Sequence, residues 1–342
     1  MTNKILVTGG SGFIGTNFIK KSLQKNNKIL NVDSLTYASG LKNLTLEEKN
    51  KNYFFKKSDI CNQNKILKII SDFKPGKIIH FAAESHVDRS IEDASKFINT
   101  NIIGTYTLLE SVNFLIKKKK LPENFIFHHV STDEVFGTLS LKSKKKFNEN
   151  TPYLPRSPYS ASKASSDHLV NSYFHTYNLP TIITHCSNNY GPYQFPEKFI
   201  PVVIINALNE EMIPLYGNGL NIRDWIFVDD HVEALQTVLE KGFRGNTYNI
   251  GGNNELSNFK LAHKICKILD KIKPAKKIKS YKELIHFVPD RPGHDLRYAV
   301  NINKIKKDLN WRPKTTFDLG LLITIQWYLN NRSWWKNAII PH

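Results

Sequence analysis

The sequence predicts an α/β fold, a doubly wound parallel sheet followed by a smaller C-terminal α/β domain. Three observations predict it. Short β-branched runs alternate with helical stretches through the first half of the chain. The first run leads directly into a glycine-rich turn and a helix. After about residue 185 the pattern loosens and Gly and Pro increase, as at Gly191-Pro192, Pro196, Pro201, Gly217 and Gly219.

The elements follow in order. Ile5-Leu6-Val7 reads as the first strand. Residues 13–25 read as a helix, because Phe13, Ile14, Phe18, Ile19 and Leu23 lie near helical spacing. Ile29-Leu30-Asn31-Val32 is the second strand and ends at Asp33. Ile78-Ile79-His80-Phe81 and Phe125-Ile126-Phe127 are later strands. A long helix is expected over residues 159–177, then a strand at Thr181-Ile182-Ile183-Thr184. Residues 1–185 are expected to form the first domain, with a returning strand near 223–232 around Trp225-Ile226-Phe227-Val228. Residues 186–342 mainly form the second, with interleaved boundaries.

Bulk properties exclude several classes. The 342 residues suit about two domains, and 40% are hydrophobic, enough for a substantial core. No apolar run reaches the roughly 18 residues of a membrane span. The N-terminus runs straight into Lys4-Ile5-Leu6-Val7 and lacks signal-peptide features. Cys61, Cys186 and Cys266 form no CxxC pair, which argues against a disulfide framework or a metal site and suits a reducing cytoplasm. The formal charge is +18, but the runs at 117–120 and 144–146 are not interleaved with aromatics or Arg. They read as solvated lysine faces, with no nucleic-acid partner expected. The positive field would still attract an anionic substrate. Trp327, Trp334 and Trp335 read as packing residues.

The glycine turn points to a dinucleotide. Gly9, Gly12 and Gly15 follow a strand and open a helix. Glycine lets the backbone approach a pyrophosphate, and the helix start offers free N–H groups. This is the Rossmann-type arrangement. Asp33, 24 residues after Gly9, would bind ribose hydroxyls and repel a 2′-phosphate, so NAD is expected rather than NADP. Asp59-Ile60 could hold the adenine edge or be an ordinary loop.

A second pattern carries chemistry. Tyr159 and Lys163 lie four apart on the long helix and share a face. A nearby ammonium would lower the phenol pKa, so that phenolate removes a hydroxyl proton as hydride leaves the same carbon. Alone, this spacing also fits a surface pair. Ser131-Thr132-Asp133-Glu134-Val135 follows the strand beginning at Phe125. Two adjacent carboxyl groups can divide into an acid and a base when their environments differ. The run also fits a helix N-cap with an acidic first turn.

With the glycine turn and the Tyr/Lys pair, the chain resembles the extended short-chain dehydrogenase/reductase superfamily. Longer motifs narrow this. His80-Phe81-Ala82-Ala83-Glu84-Ser85-His86-Val87-Asp88-Arg89-Ser90 and the run from Ser131 resemble the dTDP-glucose 4,6-dehydratase family. So do Cys186-Ser187-Asn188-Asn189-Tyr190-Gly191-Pro192-Tyr193, Phe195-Pro196-Glu197-Lys198, Ile222-Arg223-Asp224-Trp225 and Asp290-Arg291-Pro292-Gly293-His294-Asp295.

The resemblance implies a reaction in three stages. NAD⁺ oxidises the sugar 4-hydroxyl, water is eliminated across carbons 5 and 6, and the hydride returns to carbon 6. It implies Tyr159 as base for the oxidation, Lys163 as its activator and Thr132 as donor to the 4-oxygen. It implies Glu134 as base for the carbon-5 proton and Asp133 as acid for the departing 6-hydroxyl. The NAD shell so implied comprises the glycine turn with Phe13 and Ile14, the segment Asp33-Ser34-Leu35-Thr36, and Asp59-Ile60. Phe81-Ala82-Ala83, Ser85, Thr100 and Asn189 join them, with Tyr159 and Lys163. The nucleotide-sugar shell comprises Ser85, Thr132, Asn188, Lys198, Phe199, Pro214-Leu215-Tyr216, Arg223, Asn258 and Asp290-Arg291-Pro292-Gly293-His294. Arg223 and Arg291 suit diphosphate oxygens, although either alone would fit a surface ion pair.

The chain departs from the family pattern at Ser34 (usually Lys), Phe136 (Tyr), Gln194 (His) and Leu296 (Arg). Leu296 leaves thymine versus uracil selectivity open. The resemblance also implies a homodimer, with 99–115 and 164–177 contributing a helix bundle. The competing readings are the same chemistry on UDP-glucose or another nucleotide sugar, a nucleotide-sugar 4-epimerase, and a non-catalytic NAD-sensing or nucleic-acid-binding protein.

Overall fold

The computed structural model describes residues 3–39 and 43–339. Strand β1 (Lys4–Thr8) passes through the glycine turn into helix α1 (Phe13–Gln24), followed by β2 (Lys28–Asp33), β3 (Tyr53–Lys57), α2 (Gln63–Phe73) and β4 (Lys77–His80). Helix α3 (Val87–Glu92) precedes an unbroken helical run. This run comprises α4 (Ser95–Phe97), a π-helical turn (Ile98–Ile103) and α5 (Gly104–Lys117). Then come β5 (Ile126–Thr132), α6 (Pro158–Tyr177), β6 (Thr181–Cys186), β7 (Asn188–Tyr190), α7 (Phe199–Asn209) and β8 (Ile213–Tyr216). The chain continues through β9 (Ile222–Phe227), α8 (Val228–Lys241), β10 (Thr247–Ile250), β11 (Glu255–Ser257), α9 (Asn258–Ile272) and β12 (Ile285–Val288). Helices α10 (Asn303–Leu309), α11 (Phe317–Asn330) and α12 (Arg332–Ile339) complete it.

The main sheet has seven strands in the order β3-β2-β1-β4-β5-β6-β10, all parallel. The order reverses between β1 and β4. Such a point opens a crevice at the carboxyl ends of the strands, where ligands bind in this architecture. Each face of the sheet packs helices. Phe18 and Ile19 of α1 join Val232 and Leu235 of α8 in one core. Ile66 of α2 joins Leu108 and Val112 of α5 in another. A third core, in the smaller body, gathers Ile204, Leu261, Ile265, Leu321 and Tyr328.

The region 223–232, expected to return a strand to the main sheet, does so differently. It divides into β9 and the start of α8. Strand β9 lies in a separate three-stranded sheet, β11-β9-β7. Helix α8 goes back against α1, and β10 then pairs β6 as the seventh strand. An apolar run specifies burial on a sheet but not which sheet. A third, two-stranded sheet pairs β8 with β12.

Local signals explain the key helix. Ser157 accepts from the Ser160 N–H in a reciprocal capping box, and Pro158 occupies the first turn of α6. Of the α1 face, Phe18, Ile19 and Leu23 are buried, while Phe13 and Ile14 stay partly open above the sheet. Trp335 is buried, and Trp327 packs on Tyr193 and Trp334, each at 4.9 Å. Lys117, Lys118, Lys119 and Lys120 are exposed. Among the described residues, no helix is long and apolar enough to cross a membrane, and no cluster could hold a metal ion.

Candidate active site

The turn after β1 is closed tightly. Gly9 has φ +68°, and a Cβ there would stand 2.5 Å from the Ala82 nitrogen. A Cβ on Gly15 would stand 2.4 Å from the Gly9 carbonyl oxygen. Gly12 opens α1 without a side-chain cap, so the first-turn N–H groups are left for a ligand. Asp33 ends β2 and is buried. Its Oδ2 accepts from the Ser11 N–H at 2.9 Å, and its Oδ1 from the Leu35 N–H at 2.8 Å and the Ser39 hydroxyl at 3.1 Å. Burial pushes its carboxyl up, against the pull of these donors.

These residues edge a cleft of about 450 Å³ at the switch point. Gly9, Gly12, Phe13, Ile14 and Gly15 line one end. Asp33, Ser34, Thr36, Asp59 and Ile60 line the neighbouring wall. Phe81, Ala82, Ala83, Ser85, Thr100 and Asn189 close the rest. A glycine cradle, uncapped N–H groups and a strand-end carboxylate fit a dinucleotide with free ribose hydroxyls. Leu35 is the exception. It takes φ +57°, does not line the cleft, and serves through its N–H to Asp33. Ser39 and Ser58 line the cleft as well, without a sequence motif to announce them, and so does Gln194, one of the departures from the family pattern.

The groups expected to react stand at the end of β5. The Thr132 hydroxyl accepts from the Glu134 N–H at 3.3 Å and caps a 3₁₀ turn, Asp133–Phe136. The capping expected of this run is therefore present, and it leaves the carboxyls of Asp133 and Glu134 on the cleft. Asp133 is buried, and among the described residues its Oδ2 has no hydrogen-bond partner. Burial drives its carboxyl well above the usual range, Glu134 and Asp224 add to this, and Arg223 opposes it. Glu134 is raised less strongly. Burial lifts it, while Arg291, Arg223 and Lys198 pull it down. The two neighbours thus meet opposite fields, one facing anions and the other facing cations.

Tyr159 and Lys163 both point into the cleft from α6. The expected lowering of the phenol is absent. Burial holds Tyr159 well above its usual value, reinforced by Glu134, Cys186 and Asp133, with a Thr132 hydrogen bond opposing. The Lys163 ammonium, meanwhile, is engaged elsewhere. Its Nζ donates to the Val130 carbonyl at 2.9 Å and lies 3.5 Å from His129 Nε2. Burial lowers the Lys163 pKa, opposed by Asp167 and Cys186.

The expected sugar-nucleotide residues fall into two groups. Ser85, Thr132, Asn188 and Lys198 line the cleft, and Lys198 Nζ donates to the Ser85 carbonyl at 2.9 Å. The others lie on the smaller body, outside that cleft. Pairing of β8 with β12 brings Pro214, Leu215 and Tyr216 beside the 289–294 loop. Asp290 there accepts from His294 Nδ1 at 2.6 Å, and Arg291 reaches Asp88 at 3.4 Å. Pro292 and Gly293, the latter at φ +67°, complete the loop. Leu215 is buried in the third core, so its side chain is unavailable to a ligand. Phe199 and Asn258 open α7 and α9. Arg223 is buried, stacks on Tyr298 at 4.2 Å, and donates to the carbonyls of Ile222 and Asp295. Part of its fork is therefore engaged within the protein.

The departures fall in different places. Phe136 packs inside against Phe147, Tyr153 and His185, away from the cleft. Gln194 Nε2 donates to the Asn189 carbonyl at 2.8 Å. Ser34 and Leu296 are exposed.

A seven-stranded parallel sheet, a glycine cradle, a strand-end Asp and a Tyr/Lys helix define a member of the extended short-chain dehydrogenase/reductases. Residues 6–324 match a family model described as GDP-mannose 4,6 dehydratase. The chain is 50% identical to a dTDP-glucose 4,6-dehydratase of Neisseria meningitidis over 98% of this chain and 96% of that protein. A crystal structure of dTDP-glucose 4,6-dehydratase from Bacillus anthracis in complex with NAD superimposes with TM-score 0.86 at 44% identity, covering 98% of this chain and 100% of that one. The Streptomyces venezuelae enzyme, with NAD and a second ligand bound, gives TM-score 0.89 at 40% identity, covering 98% and 99%. The chain belongs to the dTDP-glucose 4,6-dehydratase family.

The opposed fields make a pH prediction. Arg291 holds Glu134 down, so Arg291→Met raises the Glu134 pKa and leaves this carboxyl, the expected base, protonated to higher pH. The acid limb of kcat at saturating nucleotide sugar moves to higher pH. A kcat–pH profile of the variant checks this, and an unmoved limb contradicts it.

Proposed function

We propose that this protein converts dTDP-glucose to dTDP-4-keto-6-deoxyglucose and water, with NAD held in the cleft. The observation that carries the reading is the adjacent pair Asp133, buried, and Glu134, half-buried beside it, in opposite fields. A simple dehydrogenase or a 4-epimerase has no use for a second acid and base at this position. Elimination across carbons 5 and 6 needs both.

When bound, NAD supplies reversible storage of hydride. Tyr159, once ionised against the burial that holds its phenol neutral, takes the proton of the sugar 4-hydroxyl, and Thr132 donates to the 4-oxygen. The 4-ketone acidifies the carbon-5 proton, and Glu134 removes it. Asp133, kept protonated by burial and by its anionic neighbours, gives its proton to the departing 6-hydroxyl. Arg223, Arg291 and Lys198 put positive charge beside Glu134, which favours its ionised form and suits an anionic diphosphate. Asp33 disfavours a 2′-phosphate and selects NAD over NADP.

The test is incubation of the NAD-loaded protein with dTDP-glucose and with UDP-glucose. The 4-keto-6-deoxy product is expected, with higher kcat/KM for the thymidine nucleotide. A folded, loaded protein that forms no such product overturns the reading. Equal or better use of UDP-glucose keeps the chemistry and changes the substrate. Glu134→Gln should lower kcat by roughly 10²–10⁴-fold with bound NAD unchanged. Full retained activity would instead favour a 4-epimerase.

We further propose a cytoplasmic homodimer built on α5 and α6. Ile103, Tyr106, Phe114 and Tyr177 are large apolar side chains exposed on or beside these helices. Light scattering at micromolar concentration should give twice the chain mass of 39.4 kDa, and a strict monomer would refute the interface.

A further inference from the structure

Behind the reacting groups lies a buried polar cluster for which the dehydration has no stated use. Asp167 sits on α6 one turn beyond Lys163 and two beyond Tyr159, so the three share a helix face. It is fully buried. Its Oδ2 accepts from the Ser131 hydroxyl at 2.9 Å and lies 3.0 Å from His185 Nε2. Its Oδ1 stands 3.2 Å from His129 Nε2. The same His129 nitrogen is 3.5 Å from Lys163 Nζ. His129 therefore stands between the buried ammonium and the buried carboxylate.

We propose that Asp167 is a positioning residue: through His129 it is the counter-ion that keeps Lys163 an ammonium in the closed site. This rests on the reading of Lys163 given above. An isolated buried ammonium sheds its proton unless an anion compensates it. The described groups facing the pair support this assignment. From α6 there is Tyr159, and from β5 there are His129 and, at its end, Asp133 with Glu134. From β6 come His185 and Cys186, from β4 His80, and from the segment before α6 Tyr153. His129 is pushed down to about 4 by burial and by Lys163, so it is a neutral spacer. His80 is likewise held low by burial, and it is occupied between Thr8 at 2.7 Å and Thr105 at 3.0 Å. The Tyr153 and Cys186 acids are raised by burial and stay neutral. Asp133 is also kept neutral, and Glu134 is matched by its arginines. Asp167 is the carboxylate held down here, by its two histidines against burial, and so the anion facing Lys163 from behind.

The test is Asp167→Asn, which keeps shape and removes charge. Without the anion the Lys163 pKa falls further, so the ammonium is lost at lower pH. In the NAD-loaded variant, the alkaline limb of kcat should move down by about one pH unit or more, with KM within about twofold of the unaltered protein. A second readout needs no turnover. In protein labelled with ¹³C at lysine Cε, the resonance missing from Lys163→Arg should titrate at lower pH in Asp167→Asn. If Asp167→Asn does not fold, Asp167→Ser is the second neutral variant, with the same shift expected. A Lys163 resonance that titrates unchanged in a folded neutral variant overturns the proposal. A shifted resonance without dehydratase activity would leave the ion pair standing and fault the functional reading instead.

Discussion

Asp133 is buried and Glu134 half-buried beside it at the end of β5, and the rest of the site is organised around that adjacency. A buried ionisable group must be neutral or paired. Asp133 takes the first course, because burial, and then Glu134 and Asp224, oppose its charge. Glu134 is given the second, by Arg223, Arg291 and Lys198. Those cations come from the small β9 sheet, the loop after β12 and the residue before α7. The second body therefore gives two adjacent carboxyls opposite electrostatic surroundings.

The parallel sheet makes this possible. Reversal of strand order between β1 and β4 opens a crevice, and β5 delivers its final residues to the same edge. The glycine cradle and Asp33 stand on one side of that opening, and α6 carries Tyr159 and Lys163 to the other. A π turn at Ile98–Ile103 sits where α5 meets the crevice. Within it, Asn101 holds the Glu84 backbone from both sides, at 2.9 and 3.0 Å, and reaches the Ser162 hydroxyl at 2.8 Å. This fixes the loop after β4 against α6.

Much of this was legible in the sequence, and the reasons for success and failure are physical. The glycines, Asp33, the strands up to β6 and the Tyr/Lys pair depend on local backbone rules or helical spacing. Thr132 to Glu134 follow a recognisable strand. The return of the chain at 223–232 was misplaced, because an apolar run does not encode its neighbours. Leu35 was expected to meet the cofactor, but its left-handed backbone turns its N–H to Asp33 instead. Leu215 lies in a motif, yet packing claims its side chain. The direction of the Lys163 ammonium depends on the Val130 carbonyl and on His129, which spacing along one helix does not reveal. Ser39 and Asp167 carried no motif at all; contacts between distant segments define them.

In the proposed reaction one turnover carries hydride from carbon 4 to carbon 6 within a single site. Conversion of dTDP-glucose deuterated at carbon 4 tests this. The 4-keto-6-deoxy product should carry the deuterium at carbon 6, with none released to solvent or to added free NAD. Product lacking that label, or label recovered in the added NAD pool, would contradict it.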